Sequence, residues 1–394
     1  MKLKWVLPLT LWLYANAANA LQFTTERVIS LEEIRSLIQQ NRSIIIENFN
    51  NQIAEENLKQ QKSERLPEIL MGGKGYLANE RPLTSGAKSS NSFFYDFSIT
   101  SQFDVYTGGK HTYAIQRMKT EKQFSQEKLE AIEQEVELKA YILLYDIHRN
   151  IKYRDFIRSS IHLREKEYER INQLYQNGLV LKSDLLRSKL YITDLQKDEV
   201  AINNSIEILS DKLCVLLGLE ERFSVKPMLD KDLQYKMDES FESLFQDAIL
   251  SSPSLKMYRT SQRREETALK EIKAQRRPTV QLYAGYGIGS PIPVCDYDHQ
   301  IGGQVGAKVS LSLSSLYRTR HQHKAQQRRI NREKITYDDE ANKLRTSLYE
   351  LYTRYHESLL NIDRALEKID MSKESNRILT NSYFNQQALL IDVL

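Results

Sequence analysis

Between Lys110 and Tyr175 the sequence contains neither proline nor glycine. A run of about 65 helix-compatible residues would extend roughly 100 Å at 1.5 Å per residue. No compact globule accommodates such an element. Leu129, Ile132 and Val136, then Leu143, Ile147 and Ile151, recur at helical spacing and form one apolar seam. A second uninterrupted stretch covers Arg318 to Ser382. Its seam runs through Tyr337, Ala341, Leu344, Leu348, Leu351, Tyr355, Leu359, Ile362, Leu366 and Ile369 in steps of three and four. A helix with one apolar stripe and a charged remainder must lie along other helices, in a rod or a tube. Charged residues at 27% and a mean hydropathy of −0.54 suit such solvated helices.

The rest of the chain falls into two similar halves. A first helix is predicted over Leu31–Arg65, stopped by Pro67, and strands follow over Ile69–Ala78 and Phe93–Tyr106. The long helix then ends at Gly178, and a returning helix covers Leu181–Leu217 up to Gly218. After an irregular segment with Pro227, a short helix is predicted over Ser240–Leu250. Another helix, Ser254–Arg276, is stopped by Pro278; strands at Val280–Ile288 and Ile301–Leu313 precede the last long helix. The segment from Tyr175 through Gly178 and Asp184 to Leu186 is echoed by Tyr383, Asp392 and Leu394 at the same relative positions. Gln386 takes the place of the glycine in this second copy. The expected organisation is a signal peptide (1–20), a first repeat (21–218), a linker (219–253) and a second repeat (254–394) lacking a returning helix.

The strands carry the chemical clue. Phe93, Tyr95, Phe97, Ile99, Ser101, Phe103 and Val105 alternate with Asp96, Ser98, Thr100, Gln102 and Asp104. Ile301, Val305, Ala307 and Val309 alternate with Gly302, Gln304, Gly306 and Lys308. One apolar and one polar face fit either a sheet on a soluble core or a transmembrane barrel around a wet lumen. Four strands cannot close a barrel, and open edges are not tolerated in lipid, so the membrane reading requires several chains to share one barrel. Residues 1–20 read as an export signal: Lys2 and Lys4, an apolar run from Trp5 to Tyr14, and Ala18-Asn19-Ala20. Cleavage would leave Leu21 first, with no cysteine there to carry a lipid.

Other features are bland. A net charge of +4 without a basic block does not indicate a nucleic-acid partner. Cys214 and Cys295 have no spacing that dictates pairing. His321 and His323, two apart on a helix, face different directions and make a poor metal site. Gly285, Gly287 and Gly289 lie in a strand, and Gly108-Gly109-Lys110 reads as a strand-to-helix junction. Arg276, Arg277, Arg318 and Arg320 flank the second strand pair as membrane-surface anchors or as a solvated helix start. No nucleophile–base group appears, so the expectation is no enzyme, no cofactor and no metal.

The two-fold repeat, the strand pair in each half, the Tyr-x-x-Gly-x5-Asp turn, the Leu217-Gly218-Leu219 stop and Asn41 together resemble the TolC family of bacterial outer-membrane channel proteins. The resemblance covers nearly all of Leu31–Leu394. It implies a mainly α fold with a small β part, in which long antiparallel coiled-coil helices form a periplasmic tube. Four strands per protomer would enter a shared, trimeric, twelve-stranded outer-membrane barrel. It implies a passive export duct of a tripartite efflux pump or a type I secretion system, partnered by a periplasmic adaptor and an inner-membrane transporter. It carries the pore aperture onto Asp392, as an acidic ring, and the closed tip onto Tyr383, Asp184, Tyr175 and Gly178. Ala388 stands where the best-known member has its locking arginine, so an arginine–aspartate lock through Asp184 is not expected. Asp184 and Asp392 also suit helix N-caps after each turn. The family continues past the second tip with a returning helix, and the expectation here is a truncated chain. The rival readings are an exported coiled-coil structural or adhesive protein and a non-functional remnant of such a channel.

Overall fold

A computed structural model describes residues 26–80, 90–229, 240–289, 300–385 and 387. The predicted signal peptide, Cys295, Gln386, Ala388, Asp392 and most of both strand-connecting loops lie outside the described residues. The elements run β1 (Glu26–Ser30), α1 (Leu31–Leu37), a 3-10 turn (Ile38–Gln40), α2 (Arg42–Ser63), β2 (Glu68–Glu80), β3 (Ser90–Tyr106), α3 (Lys110–Gln176) and α4 (Lys182–Leu217). Then come β4 (Ser224–Met228), α5 (Phe241–Ser251), α6 (Pro253–Ala274), β5 (Thr279–Gly289), β6 (Gln300–Ser310) and α7 (Ser315–Phe384). α3 has 67 residues and α7 has 70, as their freedom from proline and glycine requires.

The first predicted helix is broken. Asn41 leaves the helical region (φ −61°, ψ 131°), and its Oδ1 accepts hydrogen bonds from the Ser43 and Ile44 amides at 2.8 and 3.2 Å. It thereby caps α2. Its Nδ2 donates to the Leu216 carbonyl at 2.6 Å, near the end of α4. That helix closes on Gly218 in the left-handed region (φ 73°), whose amide donates to Val215 while the Leu219 amide donates to Cys214. A Cβ on Gly218 would sit 2.3 Å from the Gln40 carbonyl oxygen. Asn41 and the Leu-Gly-Leu stop, distant in sequence, are thus two sides of one interlock.

The chain divides into two compact units, with boundaries inside the helices. The first comprises Met1–Ile46, Ile132–Asp247 and Arg345–Leu394. It holds a two-stranded parallel sheet, β1 on β4, that the sequence reading left irregular. Ile29, Ile34, Ile44, Leu144, Ile147, Leu213, Leu217 and Val225 form fully buried parts of this unit. The Val225 amide donates to Ser210 Oγ at 3.1 Å, and the buried Cys214 thiol donates to the Phe223 carbonyl at 3.9 Å. Burial pushes that thiol up from its ordinary value, which makes it an inert packing residue.

The second unit, Glu47–Ala131 with Ala248–Leu344, contains the four-stranded antiparallel sheet in the order β2-β3-β5-β6. The two sequence halves meet at β3·β5. β2, with its poor alternation, pairs with β3 along its whole length, from Glu68 opposite Gln102 to Glu80 opposite Ser90. β6 ends at Ser310, earlier than predicted, because the Ser312 carbonyl accepts from the Ser315 amide and hydroxyl and turns the chain into α7. Gly108 and Gly109 (φ 64° and 93°) make the β3–α3 junction, where Arg277 Nη1 donates to the Gly108 carbonyl at 3.1 Å. Beside the apolar Leu58, Ile115 and Leu255, many buried positions on the helices of this unit are small or polar, among them Ala54, Ala114, Thr260, Ser261, Thr267, Thr319 and Gln326. Such residues permit close helix approach.

Candidate functional site

Register decides which side chains share a face of the sheet. Met71 lies opposite Ile99, which lies opposite Tyr286. Gly73, Phe97, Ile288 and Ile301 form the next row, and Ile69, Ser101, Ala284 and Val305 another. Phe103, Leu282 and Ala307 continue the same face. The opposite face carries Lys74 with Asp96, Thr100 with Gly285 and Gln304, and Asp104 with Gln281 and Lys308. Gln281 Nε2 donates to Asp104 Oδ1 at 3.0 Å. All four strands therefore contribute to one apolar face and one polar face. The apolar face is uncovered: Met71 is 84% exposed and Val305 88%. The strand glycines Gly285, Gly287 and Gly302 lie on the polar face. β2 and β6 leave open edges.

The predicted tip residues gather in the first unit. α3 ends in a left-handed Gly178 (φ 73°), whose amide donates to the Tyr175 carbonyl at 2.9 Å, while the Leu179 amide donates to Leu174 at 2.9 Å. This is the same closing motif as at Gly218. The N-cap of α4 is Leu181, with no side-chain cap bond, and not Asp184. Asp184 lies in the first turn, its amide donating to the Leu181 carbonyl at 3.0 Å, where its charge complements the helix dipole. The Asp184 N-cap expectation fails because the extended residue comes three positions earlier.

Tyr383 is 7% exposed and packs with Ile171, Val180 and Leu185. These three partners were not singled out in the sequence; Val180 and Leu185, apolar residues that follow Gly178, were the available signal. Tyr175, the sequence counterpart of Tyr383, is 36% exposed. Asp392, the proposed aperture residue, lies outside the described residues. Burial pushes the Tyr383 phenol up, and the negative charge of Asp184 adds to the effect. The neutral phenol is thus favoured in the folded tip. Its stabilisation is complete below the ordinary tyrosine value of about 10 and is lost as pH rises through the elevated one. Amide exchange at Ile171 and Leu185 is expected to accelerate above about pH 10 in the wild type. The added acceleration is expected to vanish in Tyr383→Phe, and an unchanged alkaline response in that variant would disprove the assignment.

Among the described residues no group of His, Cys, Asp and Glu could hold a metal ion, and no helix is long and apolar enough to cross a membrane.

No protein-family model and no curated protein matches the sequence. Solved structures do match. The outer membrane protein VceC from Vibrio cholerae has a TM-score of 0.76 at 15% identity, over 92% of this chain and 88% of that one. A membrane protein from Pseudomonas aeruginosa has a TM-score of 0.78 at 13% identity, over 92% and 84%. The CmeC outer membrane channel of Campylobacter jejuni has a TM-score of 0.73 at 13% identity, over 92% and 78%. Likeness at this identity is one of architecture, and by that measure the chain has the fold of TolC-type outer-membrane channel proteins.

Proposed function

We propose that this chain is one protomer of an outer-membrane channel that serves as a passive export duct. The observation that carries the reading is the uncovered apolar face of the four-stranded sheet, backed by a polar face and flanked by two open edges. Water disfavours that face and lipid disfavours those edges, because each unpaired backbone group there costs several kcal/mol. Both are resolved when copies of the sheet join edge to edge, apolar side to lipid and polar side to a wet lumen. Three copies would supply a twelve-stranded barrel, with the long helices continuing as a tube in the periplasm. The two sequence repeats, 21–218 and 254–394 with the linker 219–253, supply equivalent parts of that assembly. Gating is assigned to the helix turns bearing Tyr175, Gly178, Asp184 and Tyr383, with Asp392 at the aperture. A periplasmic adaptor and an inner-membrane transporter, of an efflux pump or a type I secretion system, would drive export through it. The protomer is read as a non-enzyme because solved structures of the same fold, such as CmeC, are channels.

Purified full-length chain reconstituted into planar bilayers is expected to give uniform conductance steps and to cross-link as a trimer. A monomer that stays in the aqueous phase and gives no conductance would instead support an exported coiled-coil structural protein.

A further inference from the structure

The helix ends that adjoin the sheet carry an unbalanced positive charge that the channel reading leaves unused. Between Asp298 and Glu333 the sequence contains no acidic residue, and between Asp104 and Glu121 there is none either. The first stretch holds Arg318, Arg320, Lys324 and Arg328 at the start of α7, and all four are exposed. Lys110 and Lys119 at the start of α3, and Lys273 near the end of α6, are exposed as well. Among the described residues, none of these four α7 side chains makes an ion pair or a hydrogen bond.

Elsewhere in the same unit several charges are matched: Arg117 with Glu271 at 2.9 Å, Lys122 with Glu55 at 3.0 Å and Lys128 with Glu47 at 3.0 Å. On α7 itself matching begins immediately past the unpaired run, with Arg332 on Glu333 at 2.7 Å and Lys343 on Glu340 at 2.8 Å. Exposed Lys256, Arg263, Lys270 and Lys334 of this unit also lack an ion pair among the described residues, so what marks Arg318 to Arg328 is their clustering beside the strands and not the lack of partners alone. From Arg318 to Arg328 the helix rises about 15 Å, enough to cross a lipid headgroup layer. Exposed Tyr106, Leu316 and Tyr317 lie at the same junction, residue types suited to a membrane–water boundary.

We propose that these residues form a basic collar that binds the phosphates of anionic phospholipids in the leaflet beneath the barrel. The proposal rests on the channel reading, which places the apolar sheet face in lipid. Long Lys and Arg side chains then reach sideways from the helix ends to the headgroups while their stems lie against the apolar boundary. Along the two acid-free stretches no carboxylate adds repulsion against an anionic surface, and the exposed Glu64 and Glu68 lie at the separate α2–β2 junction.

The test compares full-length wild type with the R318Q/R320Q/K324Q/R328Q variant, each in phosphatidylcholine nanodiscs with and without phosphatidylglycerol. The expected result is a rise in the wild-type thermal midpoint on adding phosphatidylglycerol, abolished by high salt and at least halved in the variant. The variant should match wild type in phosphatidylcholine alone, which shows that it folds. A second variant, K110Q/K119Q/K273Q, should lose part of the same increment. Equal midpoints in the two lipids, or a full increment retained by both variants, would overturn the collar. So would an equal shift produced by inorganic phosphate, because the site would then be one for a soluble anion. Failure of wild type to enter either nanodisc would overturn the channel reading itself, and the collar with it.

Discussion

Replacing Val305 by arginine is expected to prevent assembly into a membrane, whereas the same replacement of Gln304 is expected to be tolerated. The residues are neighbours in the middle of β6, yet Val305 sits opposite Ala284 on the apolar face and Gln304 opposite Gly285 on the polar face. A charged residue facing lipid near the bilayer midplane of a barrel costs about 2–4 kcal/mol. If three copies share the barrel, the cost recurs in each, and the assembled population falls by several powers of ten. The guanidinium introduced by Gln304→Arg would face the wet lumen beside Gly285 and Thr100, and it changes conductance more than stability. Liposome flotation of Val305→Arg and Gln304→Arg, read beside wild type, measures both effects. If the two variants float equally well, the apolar face does not meet lipid. On a soluble sheet the exposed side chain of Val305→Arg would cost almost nothing, so the comparison also separates the channel from a soluble coiled-coil protein.

The other large effect is at Gly218. Gly218 and Gly178 share a φ of 73° and the same closing motif, so alanine costs about 1 kcal/mol of backbone strain at either. Their surroundings differ. A Cβ at 178 meets nothing within 4 Å, whereas at 218 it would lie 2.3 Å from the Gln40 oxygen and 2.9 Å from the Gln40 carbonyl carbon. Backbone cannot swing aside as a side chain can. Relief requires the end of α4 to retreat from the 3-10 turn, which breaks the Asn41–Leu216 hydrogen bond and leaves buried polar groups unpaired. Gly218→Ala is expected to destabilise the first unit by about 3–5 kcal/mol, and Gly178→Ala by about 1 kcal/mol. Denaturant midpoints of the two variants check this, and comparable losses would refute the clash.

Legibility from sequence followed the range of the interaction. The echo pairs Tyr175 with Tyr383 by position, because an echo compares residues and not environments. In the structure Tyr383 is buried against Ile171, Val180 and Leu185, while Tyr175 remains partly exposed. Asp184 read as a cap candidate, yet Leu181 takes that position because the turn places its extended residue earlier. β2 alternates poorly on its own, and its pairing with β3 over thirteen residues outweighs that local deficit. Neither strand of the parallel β1·β4 pair carries a local signal, and each exists because the other is present.

The sequence by itself determined the lengths of α3 and α7, the helix stops at Pro67, Gly178, Gly218 and Pro278, and the alternation of β3, β5 and β6. These properties depend on backbone freedom and side-chain period within a few residues. Only the tertiary structure decided that Asn41 breaks a helix to hold Leu216, that β3 and β5 join the two halves, and that the four strands align into one uncovered apolar face. Those outcomes rest on contacts between residues far apart in the chain, where many local patterns are compatible and packing, register and hydrogen-bond satisfaction select one.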